Sequence, residues 1–148
     1  MFTEMDGIYG DLKAFIARAN EELRRARRYA TFVSLIAIDL SHIDDEGEIE
    51  NFSGFDEFML SMQKLVRNSI RETDLLSASG NKGIYILLIE TPGEGAQAVS
   101  QRLQSSLRYF ICNNIRSPIK WRAPMKSYSF PQSIAGQPDL QSLLGELE

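Results

Sequence analysis

A hairpin near the middle of the chain most constrains what the chain can fold into. Residues 75–90 read LLSASGNKGIYILLIE, in which two apolar runs flank the segment SGNKG. Gly80 and Gly83 stand at the two ends of the tip, and glycine tolerates the positive φ that tight hairpin turns need. The pattern predicts two strands joined by a short turn. Because a hairpin is antiparallel, a purely parallel, doubly wound sheet is excluded.

The rest of the chain predicts helices and strands on both sides of this hairpin. The segment TFVSLIAIDL is β-rich and apolar enough for a strand buried on both faces, and apolar residues recur at helical spacing elsewhere. The predicted order is helix, strand, helix, hairpin, helix, strand, helix, over residues 11–29, 31–40, 55–70, 75–90, 96–110, 126–130 and 138–148. We therefore expect a single domain, residues 1–148, with an α/β fold of the α+β type: a central, mostly antiparallel mixed sheet with helices packed around it.

Charge and composition exclude several classes of partner. The formal net charge is −4, which gives no electrostatic case for nucleic acid or an acidic membrane. One basic segment, ELRRARRY, holds four arginines and is interpreted as a solvated helix face. Neither a leader peptide nor an apolar run of membrane-spanning length is evident, so the sequence predicts a cytoplasmic protein.

Cysteine and histidine offer little chemistry in this chain. Cys112 is the single cysteine and His42 the single histidine, so an internal disulfide and a thiolate zinc cluster are both excluded. A Cys/His catalytic pair is conceivable but has no further support. We expect no cofactor.

Several motifs, in order and spacing, resemble the GGDEF domain, the diguanylate cyclase domain of bacterial cyclic di-GMP signalling. ARANEELRRARRY is similar to the first helix of that family, SLIAIDLSHI to its first strand and metal loop, and RETDLLSASGNKGIYILLIE to the segment ending in its signature hairpin. The resemblance covers residues 7–130. It implies a nucleotidyl-cyclase-like palm fold, in which two GTP-loaded domains face each other and acidic residues hold divalent metal ions.

The resemblance also implies that the catalytic chemistry has been lost. The first metal-binding acid of the family falls on Asp39, but Ser41 replaces the second acid of that loop and Asp44 replaces its lysine. The signature Gly-Gly-Asp-Glu-Phe falls on Gly80, Asn81, Lys82, Gly83 and Ile84. A charged lysine repels a dication and has no lone pair for it. We therefore expect no catalytic residues and no metal, and we hypothesise that Lys82 pairs with Asp39.

Asp56 lies where the family has an aspartate that recognises guanine, because a carboxylate can accept hydrogen bonds from the N1 and N2 edge of guanine. The alternative interpretation is structural, because an aspartate near the start of a helix is favoured by capping and by the helix dipole. The preceding residue, Phe55, stands where the family usually has glycine.

The segment RETD, from Arg71 to Asp74, matches the R-x-x-D inhibitory site at which the family binds cyclic di-GMP away from catalysis. Arginine can bind a guanine edge or a phosphate through two hydrogen bonds, and the aspartate can accept from guanine. The alternative is an arginine at a helix C-terminus with a nearby salt bridge of little worth.

The resulting prediction is a catalytically inactive GGDEF-like domain that acts as a signalling or protein-interaction module. The alternative is a cyclic di-GMP receptor that binds through Arg71 and Asp74, and a retained cyclase activity ranks third. The partner is left open among a signalling protein, an attached domain, a second copy of the chain and cyclic di-GMP.

Overall fold

The helices and strands follow the predicted order in a computed structural model, which describes residues 8–41, 49–77, 83–116, 123–132 and 139–147. In chain order the elements are β1 (Ile8–Tyr9), α1 (Leu12–Tyr29), β2 (Val33–Asp39), α2 (Phe55–Asn68), β3 (Leu75–Ser77), β4 (Gly83–Ile89), α3 (Gly93–Asn114), β5 (Met125–Phe130) and α4 (Leu140–Leu147).

The sheet is mixed and mostly antiparallel, as the sequence predicts. Its strand order is β1-β3-β4-β2-β5. Strand β2 lies between β4 and β5 and is antiparallel to both, and the β3–β4 pair is the predicted hairpin. The parallel pair is β1 with β3. Strand β1 was not predicted, because two residues are too short to show a strand period.

Helices cover both faces of the sheet, which explains the apolar character of β2. Successive side chains of a strand point to opposite faces. Ile36 and Ile38 therefore belong to one core, with buried residues of α2 and α3, while Val33 and Leu35 belong to the other, with α1 and α4. No helix in the described ranges is both long and apolar enough to cross a membrane.

Helix α1 has a defined start and end, which fix where its charged residues lie. The side chain of Asp11 accepts a hydrogen bond from the backbone N–H of Lys13 at 3.0 Å, as an N-cap does. At the other end, Ala30 adopts a left-handed conformation with φ 54°. The arginine-rich segment is thus the C-terminal half of a regular helix, as predicted.

Candidate functional site

Asp39 and the RETD segment, both singled out by the sequence, lie at opposite ends of the β2–β4 pair. Asp39 is in register with Gly83 at one end, and Val33 with Ile89 at the other. At about 3.3 Å per residue the two ends are roughly 20 Å apart. We call the first the signature end and the second the RETD end.

At the signature end, the side chain of Asp39 serves the local backbone. It is exposed, and its Oδ1 accepts a hydrogen bond from the backbone N–H of Ser41 at 2.9 Å. The backbone N–H of Asp39 donates to the carbonyl of Pro124 at 2.9 Å. A Cβ on Gly83 would lie 3.1 Å from the carbonyl oxygen of Ile38, so the close approach of the two strands suits glycine at this position.

The remaining signature positions, Gly80, Asn81 and Lys82, lie outside the described residues, and so do residues 42–48 of the loop after β2. The hypothesised ion pair between Lys82 and Asp39 therefore stays a prediction.

At the positions matched to the metal-binding acids of the family, the sequence does not supply the donor set that the metal ions of a cyclase need. Magnesium needs several oxygen ligands in near-octahedral geometry. Of the positions matched to metal-binding acids, only Asp39 offers a carboxylate, because residue 41 is serine, residue 82 is lysine and residue 83 is glycine. Within the described ranges, moreover, acidic, histidine and cysteine side chains form no group of three that could hold a metal ion.

Asp56 lies in the first turn of α2 and is exposed. The N-cap is Gly54, which has no side chain to cap the helix, and Ser53 donates a hydrogen bond to Glu57 at 2.7 Å. Within the described part of the chain, Asp56 forms no hydrogen bond or ion pair. The helix dipole favours an acid here, and Phe55 packs against the core.

At the RETD end, the structure brings Arg71 and Asp74 together. The guanidinium of Arg71 donates to both oxygens of Asp74, from Nε at 3.1 Å and from Nη2 at 3.0 Å. Two backbone N–H groups donate to the same carboxylate, those of Arg71 at 3.0 Å and Ile89 at 3.1 Å. Asp74 is only 2% exposed. A carboxylate offers about four acceptor positions, and all four are used.

Further contacts extend this cluster to the end of β4. Nη2 of Arg71 also donates to the carbonyl of Ile89 and to the hydroxyl of Thr91, and Arg67 donates to the carbonyls of Arg71 and Asp74. The pKa of Arg71 is raised, first by its hydrogen bond to Asp74 and then by the charges of Asp74 and Glu90, against partial burial. We call Arg71, Asp74, Thr91 and the backbone of Ile89 the RETD cluster.

A buried hydroxyl pair lies beside the cluster and was not predicted. The side chain of Ser34 donates to the carbonyl of Thr91 at 2.7 Å and lies 2.9 Å from the hydroxyl of Ser129. These contacts tie β2 and β5 to Thr91, two residues after the end of β4. The sequence gives no signal for them, because the partners are 57 and 95 residues apart.

A groove of about 770 Å³ lies between α1 and the RETD end. Buried Glu22 lines it and pairs with Arg18 at 3.0 Å and Arg25 at 3.8 Å. Tyr29 and Phe32 also line it and are 63% and 41% exposed. The sequence does not reveal this groove, because its walls come from α1, the RETD segment and the end of β4, which are far apart in the chain.

The sequence matches neither a protein-family model nor a curated protein. Solved structures do match its fold. A diguanylate cyclase (DGC) protein of Thermotoga maritima superimposes with a TM-score of 0.66 at 12% identity, over 91% of this chain and 89% of that one. The GGDEF domain of PA1120 (TpbB or YfiN) from Pseudomonas aeruginosa gives 0.57 at 18% identity, over 90% and 76%.

A third match is the diguanylate cyclase SiaD of Pseudomonas aeruginosa, solved in complex with its activator SiaC. It superimposes with a TM-score of 0.56 at 17% identity, over 91% of this chain and 53% of that chain. The mixed sheet and packed helices of this chain match the fold of these neighbours. The fold of this chain is therefore that of the GGDEF domain of diguanylate cyclases.

Proposed function

We propose that this chain is a catalytically inactive GGDEF-like domain that works as a signalling or protein-interaction module. The observation that supports the proposal most strongly is the pairing of Asp39 with Gly83. On the fold of a cyclase, this is where acids from two adjacent strands would face one metal site. Here one strand offers a single carboxylate and the other offers none.

The chemistry that such a site must perform explains why the loss matters. A GTP-dependent cyclase needs divalent metal ions to neutralise the triphosphate and to help activate the attacking hydroxyl. With Lys82 and Gly83 in the signature, the sequence has an ammonium at the position that matches the metal-binding acid of the family. Like charges repel, and the repulsion is strongest where water is excluded.

The test is GTP turnover at varied magnesium and manganese concentrations, with cyclic di-GMP detected by chromatography. An active GGDEF domain assayed alongside shows that the conditions are adequate, and Asp39→Asn is the matched variant of this chain. We expect no product from either form of the chain. Metal-dependent product from the unmodified chain that Asp39→Asn abolishes would overturn the proposal.

The alternative, a cyclic di-GMP receptor at Arg71 and Asp74, requires the RETD cluster to open. The carboxylate of Asp74 already accepts hydrogen bonds from Arg71 and from the N–H of Ile89. It would have to give up some of these hydrogen bonds to accept from a guanine edge. We infer that the cluster holds the turn before β3 against the end of β4 and that its role is structural.

The comparison with SiaD supports a protein partner for this chain. The SiaD structure holds a cyclase together with its activator protein, which supports the idea that a GGDEF fold can serve as a surface for another protein. We propose a signalling protein or an attached domain as the partner of this chain.

A further inference from the structure

The C-terminal half of α1 concentrates positive charge on an otherwise acidic molecule. Arg24, Arg25, Arg27 and Arg28 are all exposed, whereas the chain as a whole has a net charge of −4. Ala26 points inward and is 2% exposed. The four charges therefore project outward from little more than one helical turn.

The fold uses only part of this charge. Arg25 lies near Glu22 at 3.8 Å, and the guanidinium of Arg27 stacks over the ring of Phe130 at 5.5 Å. Arg24 and Arg28 form no ion pair or hydrogen bond with any residue in the part of the chain that the structure describes. They are four positions apart, where like charges on a helix repel.

The helix dipole accounts for one of these two residues and not for the other. Arg28 lies in the last turn of α1, where a cation is favoured by the carbonyl ends of the helix. Arg24 lies a full turn earlier, and the effect of the dipole falls off within the last turn. Among the described residues, neither an ion pair nor the helix dipole therefore stabilises the charge of Arg24.

Exposed aromatic rings lie beside the arginines. Tyr29 follows Arg28 directly and is 63% exposed, and Phe32 is 41% exposed. Arg25 and Tyr29 line both the groove described above and a smaller depression along α1, which Glu21, Arg24 and Arg28 also line. Arginine and tyrosine are the residue types enriched where binding energy concentrates in protein interfaces.

We propose that Arg24, Arg25, Arg28, Tyr29 and Phe32 form a docking surface, the α1 surface, for an acidic segment of a partner protein. Carboxylates of that segment pair with the arginines, which suit bidentate contacts, and an apolar side chain packs between Tyr29 and Phe32. We choose an acidic segment as the occupant because its negative charge complements the positive charge of the arginines. The inference rests on the proposed function, because it names the surface that an interaction module would use.

The acidity of the rest of the molecule opposes the other polyanions. A duplex or an anionic bilayer extends well beyond the α1 surface and would meet the negative charge around it, whereas a short acidic segment contacts mainly the arginines, with Glu21 as the one acidic neighbour among the described residues of the same depression. The surface thus favours a peptide over nucleic acid or membrane.

The test is fluorescence anisotropy with the full chain and a labelled peptide rich in glutamate that contains one phenylalanine. A matched peptide with glutamine in place of glutamate is the ligand control. The variant R24E/R28E reverses two charges on the α1 surface, and K64E/R108E makes the same charge change on exposed positions of α2 and α3. Tyr29→Ala tests the aromatic contribution. A duplex oligonucleotide, phosphatidylglycerol vesicles and cyclic di-GMP serve as competitors.

We expect the acidic peptide to bind, the glutamine peptide to bind at least tenfold more weakly, and R24E/R28E to lower the affinity at least tenfold. K64E/R108E should change the affinity less than twofold, and Tyr29→Ala should lower it severalfold at every salt concentration. All these side chains are exposed, so circular dichroism should show folded variants. Absence of peptide binding, an equal loss with K64E/R108E, or stronger binding of the duplex, vesicles or cyclic di-GMP to the same arginines would overturn the inference.

Cyclase assays on the same preparations separate this inference from the proposed function. Formation of cyclic di-GMP from GTP would overturn the proposed function, and the peptide titration would then decide only whether the α1 surface binds an acidic segment. Failure of the peptide to bind while no product forms would overturn the α1 surface and leave the assignment of an inactive domain in place.

Discussion

The two ends of the β2–β4 pair differ in what their polar residues do. At the RETD end, the carboxylate of Asp74 is buried and accepts four hydrogen bonds. At the signature end, the carboxylate of Asp39 is exposed and faces a strand position that has no side chain. The comparison teaches that a buried aspartate of this chain is held by many contacts of the fold, whereas an exposed one serves only the turn beside it.

The largest expected effect is that of Asp74→Ala at the RETD end. The change leaves the guanidinium of Arg71 and two backbone N–H groups without their acceptor, and burying unsatisfied donors is costly. We expect the free energy of unfolding, measured with urea, to fall by about 2–4 kcal/mol. Asp56→Ala, in the exposed first turn of α2, is the matched control and should change it by less than about 0.5 kcal/mol.

If Asp74→Ala and Asp56→Ala cost the same, Asp74 is not the centre of a structural cluster and the comparison between the two ends fails. Asp74→Asn sharpens the test, because one carbonyl oxygen remains as an acceptor. Its stability should lie between that of the unmodified chain and that of Asp74→Ala.

Arg71→Ala should have a smaller effect than Asp74→Ala. The two backbone N–H groups keep their acceptor, and the side chain of Arg71 is 56% exposed, so solvent weakens its ion pair. We expect a loss of about 1–2 kcal/mol in urea unfolding. Arg108→Ala, an exposed arginine of α3, should be neutral; an equal loss there would show that the contacts of Arg71 contribute nothing specific.

Thr91→Val probes the edge of the RETD cluster. The hydroxyl of Thr91 donates to the carbonyl of Ile89 at 2.9 Å and accepts from Arg71 at 2.7 Å. Replacing it with a methyl group should cost about 1 kcal/mol in thermal or urea unfolding. Thr73→Val, at an exposed position, is the control. A neutral Thr91→Val would limit the cluster to Arg71 and Asp74.

Asp39→Ala should have the smallest effect on stability. Its carboxylate is exposed and accepts from the N–H of Ser41, so we expect a loss of at most about 1 kcal/mol. Asp39→Asn keeps an acceptor and should be closer to neutral. A loss as large as that of Asp74→Ala would contradict the contrast between the two ends.

The sequence predicts the elements of this fold well, because periodicity is a local property. Three amphipathic helices and the doubly buried β2 follow from the spacing of apolar residues. Helix ends are less predictable: α3 begins at Gly93, although glycine is a weak helix former. Its first turn is nevertheless formed, with the N–H of Ala96 donating to the carbonyl of Pro92.

The RETD cluster could be predicted only in part. The spacing of Arg71 and Asp74 suggests that they are neighbours, and either a nucleotide site or a weak salt bridge fits that spacing. The spacing cannot show that Ile89 and Thr91 complete the RETD cluster, because the register of the hairpin brings these two residues to Arg71 and Asp74. Tertiary contacts of this kind decide whether an aspartate is exposed or buried, and local sequence does not specify them.

The most direct test of the account is calorimetric titration of the purified domain with cyclic di-GMP, with GTP plus magnesium titrated alongside, at two temperatures. Asp74 already accepts four hydrogen bonds within the fold, and we propose that Asp39 alone cannot hold metal ions. We therefore expect no saturable heat with either nucleotide. Saturable binding of cyclic di-GMP that Arg71→Ala abolishes in a folded domain, while Arg108→Ala retains it, would contradict the account and make the RETD cluster a receptor site.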